Sequence, residues 1–283
     1  MPLAAIGLLF VSAVLHTTWN LLLKQAGEKY VAIWWGMLIG SSLFLPVLFF
    51  TGLPAWEIWR LLLISVVFEI VYYIALSAAY NDADFSLVYP MARGSAPAMI
   101  AVWSVLFLRE KLTTGGMIGL VIIILGLLVV GGGRLFQKYN QPHLRGILLA
   151  LLIAFSISIY STIDGAAVKQ TAPFPYAVLI LFIAPALMTP FVIRRYGWTM
   201  LKDELVTHRL RLIVIGMLSI SAYLLALWAY SLAKVSYSGA VREVSVVMGA
   251  FAGWQFLGEK LGGLRVLGAA IIFSGILVIA IFG

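Results

Sequence analysis

Two stretches of the chain, 149 residues apart, resemble each other: YPMARGSAPAMIAVWSVLFLREKL at 89–112 and SGAVREVSVVMGAFAGWQFLGEKL at 238–261. The likeness continues beyond them, so that residues 89–130 and 238–279 are identical at 14 of 42 positions. Each copy places an arginine, Arg93 or Arg242, inside an apolar run, and each contains Glu-Lys-Leu. Chance matching between two leucine-rich strings does not explain the matched arginines, so the pattern indicates an internal duplication.

The composition excludes a soluble protein. Of 283 residues, 63% are hydrophobic and 11% are charged, whereas about 25% are charged in an ordinary soluble domain. One soluble core cannot bury so much apolar surface. The net charge of +8 indicates basic cytoplasmic loops rather than a nucleic-acid surface. The absence of cysteine excludes disulfides and thiolate sites.

The apolar runs predict an all-α, polytopic membrane protein. A spanning helix needs roughly 20 residues, and the runs do not alternate as barrel strands do. We expect the first run to be a membrane helix rather than a cleaved signal, because no basic residue precedes it. The remaining polar stretches, 132–145 and 195–211, are predicted to be loops. The ten predicted spans are 3–23, 31–51, 59–80, 86–108, 115–131, 146–167, 175–194, 212–232, 237–257 and 264–282.

The duplication divides the chain into a five-helix repeat at 1–133, a linker at 134–145 and a second five-helix repeat at 146–283. Because five is odd, the second copy must enter the membrane from the opposite side. Inverted repeats of this kind underlie many secondary transporters, whose substrate site lies near the midplane between the halves.

Polar residues recur at helical spacing in equivalent helices of both halves, so we expect them to converge on a central cavity. They are Ser12, His16, Trp19, Asn20 and Lys24 in helix 1; Glu69, Tyr73 and Tyr80 in helix 3; Tyr89 and Arg93 in helix 4; Ser156, Tyr160 and Asp164 in helix 6; Ser219, Tyr223 and Tyr230 in helix 8; and Arg242, Glu243 and Ser245 in helix 9.

A charge at membrane depth costs about 2.5–3.5 kcal/mol on insertion scales. One interpretation is a hydrated cavity in which Arg93 and Arg242 hold an anionic group, because guanidinium presents a planar fork of donors. The other is internal ion pairing, such as Arg242 with Glu69. The predicted substrate-binding residues are Arg93, Arg242, His16, Trp19, Asn20, Tyr80, Tyr89, Tyr160, Asp164, Tyr223 and Tyr230. Glu69 and Glu243 are the candidates for proton coupling, because burial disfavours a charged carboxylate.

Other features suggest packing and turns. Four glycines at helical spacing, Gly119, Gly126, Gly268 and Gly275, predict close helix contacts. The Glu-Lys pairs at 110–111 and 259–260 are most simply solvated turns. There is no His-Glu-x-x-His or Gly-x-Ser-x-Gly motif, so we expect no enzyme activity, no metal and no cofactor.

The motifs, in their order, resemble those of the drug/metabolite transporter superfamily, specifically the EamA family with two EamA repeats. The resemblance rests on His16–Asn20, Tyr89–Gly94, Arg109–Leu112, Tyr160–Gly165, Arg242–Ser245 and Gly258–Leu261. It implies cofactor-free secondary transport, often export of amino acids or other metabolites, while some relatives flip lipid-linked sugars.

We therefore expect a multi-pass protein of the inner (plasma) membrane that moves a small anionic or zwitterionic, amino-acid-like metabolite by alternating access. Export is the favoured direction, and a flippase of a lipid-linked substrate is the alternative. The expected partners are the lipid bilayer, a small-molecule substrate and protons as the coupling ion, with no nucleic acid. A monomer and a homodimer are both open.

The orientation in the membrane is open. Loops after odd-numbered helices carry 12 Lys and Arg, and loops after even-numbered helices carry 5. The positive-inside rule then places both termini outside the cytoplasm, whereas the resemblance implies termini inside. We favour the second orientation, because much of the charge excess lies in one longer loop.

Overall fold

The computed structural model describes residues 1–82, 85–135, 144–257 and 263–283, and these residues form helices and no strand. The α-helices are α1 (Leu3–Lys24), α2 (Lys29–Phe44), α3 (Leu48–Thr51), α4 (Trp56–Asp82), α5 (Phe85–Phe107), α6 (Thr114–Leu135), α7 (Leu144–Ala167), α8 (Pro173–Tyr196), α9 (Trp198–Leu232), α10 (Val235–Arg242), α11 (Val244–Leu257) and α12 (Gly263–Phe282).

Length and composition make this a polytopic membrane protein, as predicted. Six helices of the described chain are long and apolar enough to cross a membrane, namely α1, α2 with its continuation to Thr51, α4, α7, α8 and α9. Shorter apolar helical stretches lie at 95–107, 114–130 and 266–282, within α5, α6 and α12. Helices are the economical spanning structure, because they satisfy every backbone polar group internally.

The helix contacts show the duplication in three dimensions. Helix α1 packs on α9, and its repeat counterpart α7 packs on α4, the counterpart of α9. In the same way, α2 packs on α9, and its counterpart α8 packs on α4. Likewise α5 packs on α7, and its counterpart α11 packs on α1. Helices α6 and α12, the last of each repeat, pack on each other. This exchange of partners is what a pseudo-twofold relation between the repeats requires.

Both termini lie on the same side of the bundle. The Met1 ammonium group donates to the carbonyl oxygens of Ala280, at 3.4 Å, and Gly283, at 3.5 Å. An even number of membrane crossings requires this arrangement.

The prediction of a loop at 195–211 is wrong. Helix α9 begins at Trp198 and continues to Leu232, with a kink at His208, where φ is −122° and ψ is 21°. Charged residues such as Lys202 and Asp203 are exposed on this first segment. Their polarity places the segment outside an apolar slab, but it does not prevent helix formation.

Two predicted spans are interrupted. The span expected at 31–51 contains a 3-10 turn, Leu45–Val47, at Pro46, because proline cannot donate a helical hydrogen bond. The span expected at 237–257 is divided into α10 and α11 at Glu243. There the Val246 amide donates to the Glu243 carbonyl at 2.9 Å, three residues back.

The predicted glycine contacts are confirmed. A Cβ atom added at Gly119 would lie 2.9 Å from the Gly275 carbonyl oxygen, and one at Gly126 would lie 3.0 Å from that of Gly268. A further contact joins α2 and α9, where a Cβ atom on Gly216 would lie 2.9 Å from the Gly40 Cα. The small residues let the helix backbones approach closely.

We expect Gly216→Ala to destabilise the protein by about 1–3 kcal/mol, because the added methyl group meets backbone atoms that cannot move aside. Gly7→Ala is the matched control, since a Cβ atom at Gly7 meets nothing within 4 Å. The measurement is thermal unfolding of the purified variants in detergent. Equal melting temperatures for the two variants would contradict the close packing of α2 and α9.

Candidate functional site

Arg93 of α5 is held by groups from both repeats. Its Nη1 donates to Glu243 at 3.1 Å from Oε1 and 3.3 Å from Oε2. Its Nη2 lies 3.2 Å from His16 Nε2, which must accept, since guanidinium has no acceptor. Glu243, at the break between α10 and α11, is only 3% exposed. The charge of Arg93 is therefore compensated within the protein.

Arg242, the repeat counterpart of Arg93, is not compensated in this way. It ends α10 and is partly buried, and no carboxylate of the described residues forms an ion pair with it. The pairing of Arg242 with Glu69, which the sequence left open, is therefore absent. Its electrostatic neighbours include Tyr230, Tyr160 and Arg93.

The two arginines share one central region. Both interact electrostatically with His16 on α1 and with Tyr160 on α7. Arg93 comes from the first repeat and Arg242 from the second, so the fold brings the two equivalent positions together.

Asp164 on α7 is held entirely by hydroxyl groups. Its Oδ1 accepts from Ser65 at 2.5 Å and from Tyr176 at 2.9 Å, and its Oδ2 accepts from Tyr223 at 2.5 Å. The three donors belong to α4, α8 and α9, and Asp164 is fully buried. Because both oxygens accept hydrogen bonds inside the protein, Asp164 joins four helices.

Sequence reasoning missed Ser65 and Tyr176. Ser65 lies one helical turn before Glu69, so extending that polar stripe by four residues would have found it. Tyr176 stands alone in an apolar run, and no sequence signal pointed to it.

Glu69 lies one turn beyond Ser65 on α4. Tyr160 lies one turn before Asp164 on α7, which packs on α4. Since Ser65 is bonded to Asp164, Glu69 and Tyr160 lie at the same depth along the contact between these two helices. Glu69 is 4% exposed, and its Oε2 is buried without a hydrogen-bond partner. It interacts electrostatically with Asp164 and Arg242.

For some of the remaining predicted residues the structure describes the side chain, and for others it does not. Trp19 is buried edge-on against His16, with ring centroids 5.1 Å apart. Asn20 donates to the His16 carbonyl oxygen at 2.7 Å. Tyr223 binds Asp164, and Tyr230 is buried beside Arg242. The side chains of Lys24, Tyr80 and Tyr89 lie outside the described part of the structure.

The prediction of a solvated turn at Glu110 is wrong. Its carboxylate accepts from the Val235 amide at 2.6 Å, the Ser236 amide at 3.2 Å and the Ser236 hydroxyl at 2.6 Å. Lys169 lies 3.6 Å away. Glu110 therefore caps the first turn of α10 from the other repeat, where an acidic group is favourable. The equivalent pair, Glu259 and Lys260, lies outside the described residues.

A family model describes nearly the whole chain. The model of the EamA-like transporter family matches residues 3–132 and 144–281. The chain belongs to the EamA-like transporter family. It is thus a membrane transporter of the drug/metabolite superfamily, as its sequence motifs predicted.

Structural comparison shows that this EamA-like transporter shares its fold with solved proteins. One solved structure, titled only "Crystal structure of protein", superposes with a TM-score of 0.76 over 98% of this chain and 97% of that one, at 18% identity. A comparison with curated proteins finds no match. Among the described residues of this EamA-like transporter, no three histidine or carboxylate side chains form a group that could hold a metal ion.

We expect Glu110→Ala to destabilise this EamA-like transporter by about 1–3 kcal/mol, because three donors at the start of α10 would lose a charged acceptor. Glu57→Ala is the matched control, since Glu57 is exposed in the first turn of α4. Thermal unfolding in detergent measures the difference. If the two variants melted together, the cap would contribute nothing.

Proposed function

We propose that this EamA-like transporter is a secondary transporter that exports a small anionic or zwitterionic metabolite across the plasma membrane by alternating access. The observation that carries the proposal is Arg242, a guanidinium inside the bundle with no ion-pair partner among the described residues. The inverted repeats support alternating access, because such repeats rock about a site near the midplane.

The difference between the two arginines supports an anion site. A structural arginine at membrane depth should resemble Arg93, which Glu243 and His16 satisfy. Arg242 instead has Tyr160 and Tyr230 among its electrostatic neighbours. A bound carboxylate or phosphate would supply the missing charge and would match the planar fork of the guanidinium.

The position of Glu243 suggests how transport is coupled to protons. Glu243 lies at the break between two half-helices and holds Arg93 of the other repeat. Protonation of its carboxyl group would remove the charge that holds Arg93 and would loosen the contact between the repeats. Helix breaks of this kind form ion sites in many transporters.

We expect Arg242→Lys to lower substrate affinity about tenfold or more while the melting temperature stays unchanged, because lysine keeps the charge but loses the fork. Arg93→Lys should mainly lower the melting temperature, because one lysine nitrogen cannot hold Glu243 and His16 as two guanidinium nitrogens do. A screen for metabolites that accumulate in cells lacking the protein identifies the substrate. Binding and uptake in proteoliposomes then test the variants.

The anion site fails if Arg242→Lys binds the substrate as the parent protein does. It also fails if Arg242→Lys loses only stability, since the arginine would then have a structural role.

We expect Glu243→Gln to abolish uphill transport driven by a pH gradient while exchange of substrate across the membrane remains, because glutamine cannot bind and release a proton. The measurement compares accumulation and counterflow in the same proteoliposomes. Unchanged pH-driven accumulation by this variant would place the coupling elsewhere.

A further inference from the structure

We infer that Glu69 binds the ammonium group of a zwitterionic substrate whose carboxylate is held by Arg242. This inference rests on the proposed function, and it gives Glu69 a role other than the coupling role expected from sequence.

The two carboxylates on this side of the bundle differ sharply. Asp164 receives three hydroxyl hydrogens from neighbouring helices. Glu69, one turn away along the α4–α7 contact, receives none on its buried Oε2. A buried acceptor without a donor is rare in native proteins and calls for an explanation. A ligand that brings its own donors supplies one.

A proton alone does not satisfy Glu69 as well as an ammonium group does. A protonated Oε2 would become a donor and would itself need an acceptor. An ammonium group brings three donors and a positive charge.

Glu69 and Arg242 are electrostatic neighbours. Each interacts electrostatically with Tyr160 and with the other, yet they form no ion pair. An acid and a base that lie in the same region without forming an ion pair are complementary to a ligand with an anionic and a cationic end. The Trp19 Nε1, which is buried near His16 without a hydrogen-bond partner, adds neutral hydrogen-bonding capacity.

The second repeat does not duplicate this pair of charges. The counterpart of Glu69, at an offset of 150, is Ser219, which is neutral. The counterpart of Arg242 is Arg93, which is already paired with Glu243. Arg242 is thus the arginine without an ion-pair partner, and only the first repeat has a carboxylate at the position of Glu69, so a zwitterion would bind in a single orientation.

The test uses matched ligands that lack one charge each. The probes are the twenty standard amino acids, their des-amino carboxylic acids and their decarboxylated amines. Thermal stabilisation of the purified protein selects the best amino acid, and calorimetry then measures its affinity and that of its two analogues. The variants are Glu69→Gln, Arg242→Lys and, as the control on the same helix, the exposed Glu57→Gln.

The parent protein should prefer the amino acid over its des-amino acid by about tenfold or more, as expected for a hydrogen bond between charged groups. Glu69→Gln should remove that preference by weakening the amino acid alone. Arg242→Lys should weaken the amino acid and the des-amino acid together. Glu57→Gln should change none of these affinities.

Several results would overturn the inference. It fails if no amino acid stabilises the parent protein, or if the parent binds an amino acid and its des-amino acid equally, a result that does not depend on how well any variant folds. It also fails if Glu69→Gln keeps the preference and loses only proton-driven accumulation, which would make Glu69 the coupling group. If Arg242→Lys still weakens the carboxylic acids, the proposed anion site stands although the zwitterion does not.

Discussion

The ion pair between Arg93 and Glu243 joins the two halves of this transporter at its centre. Each partner alone would be a charge inside the membrane, and removing one would leave the other uncompensated. The pair lies where α10 gives way to α11, so the contact between repeats coincides with the break in a helix. A contact of this kind can hold one arrangement of the repeats and can be released by a change in charge.

A duplicated chain with matching helices would be expected to have matching chemistry in both halves, yet the charges are distributed unequally. Arg93 has a carboxylate partner and Arg242 has none among the described residues. On the neighbouring helices, the position of Glu69 in one repeat is taken by Ser219 in the other. The repeat thus supplies a symmetric framework, and its two copies differ in the charges that they place on it.

Two further carboxylates and several glycines brace the bundle. Asp164 ties α7 to α4, α8 and α9 through three hydroxyl groups, and Glu110 ties the loop after α5 to the start of α10. Both carboxylates are satisfied by the protein, which separates them from Glu69. Close glycine contacts between α6 and α12, and between α2 and α9, hold the helices that carry these groups.

The sequence by itself determined the class of the protein, the duplication and the equivalence of Arg93 and Arg242. Composition, spacing and repeated residues are local or periodic properties, and they need no packing to be recognised. Only the tertiary structure decided which arginine is paired, which carboxylate is satisfied and that Glu110 is a helix cap. Those outcomes depend on contacts between residues as much as 150 positions apart, and helix packing sets these contacts. The first segment of α9 was predicted to be a loop because it is polar. Polarity indicates that a segment lies outside the lipid, but it does not determine the backbone conformation.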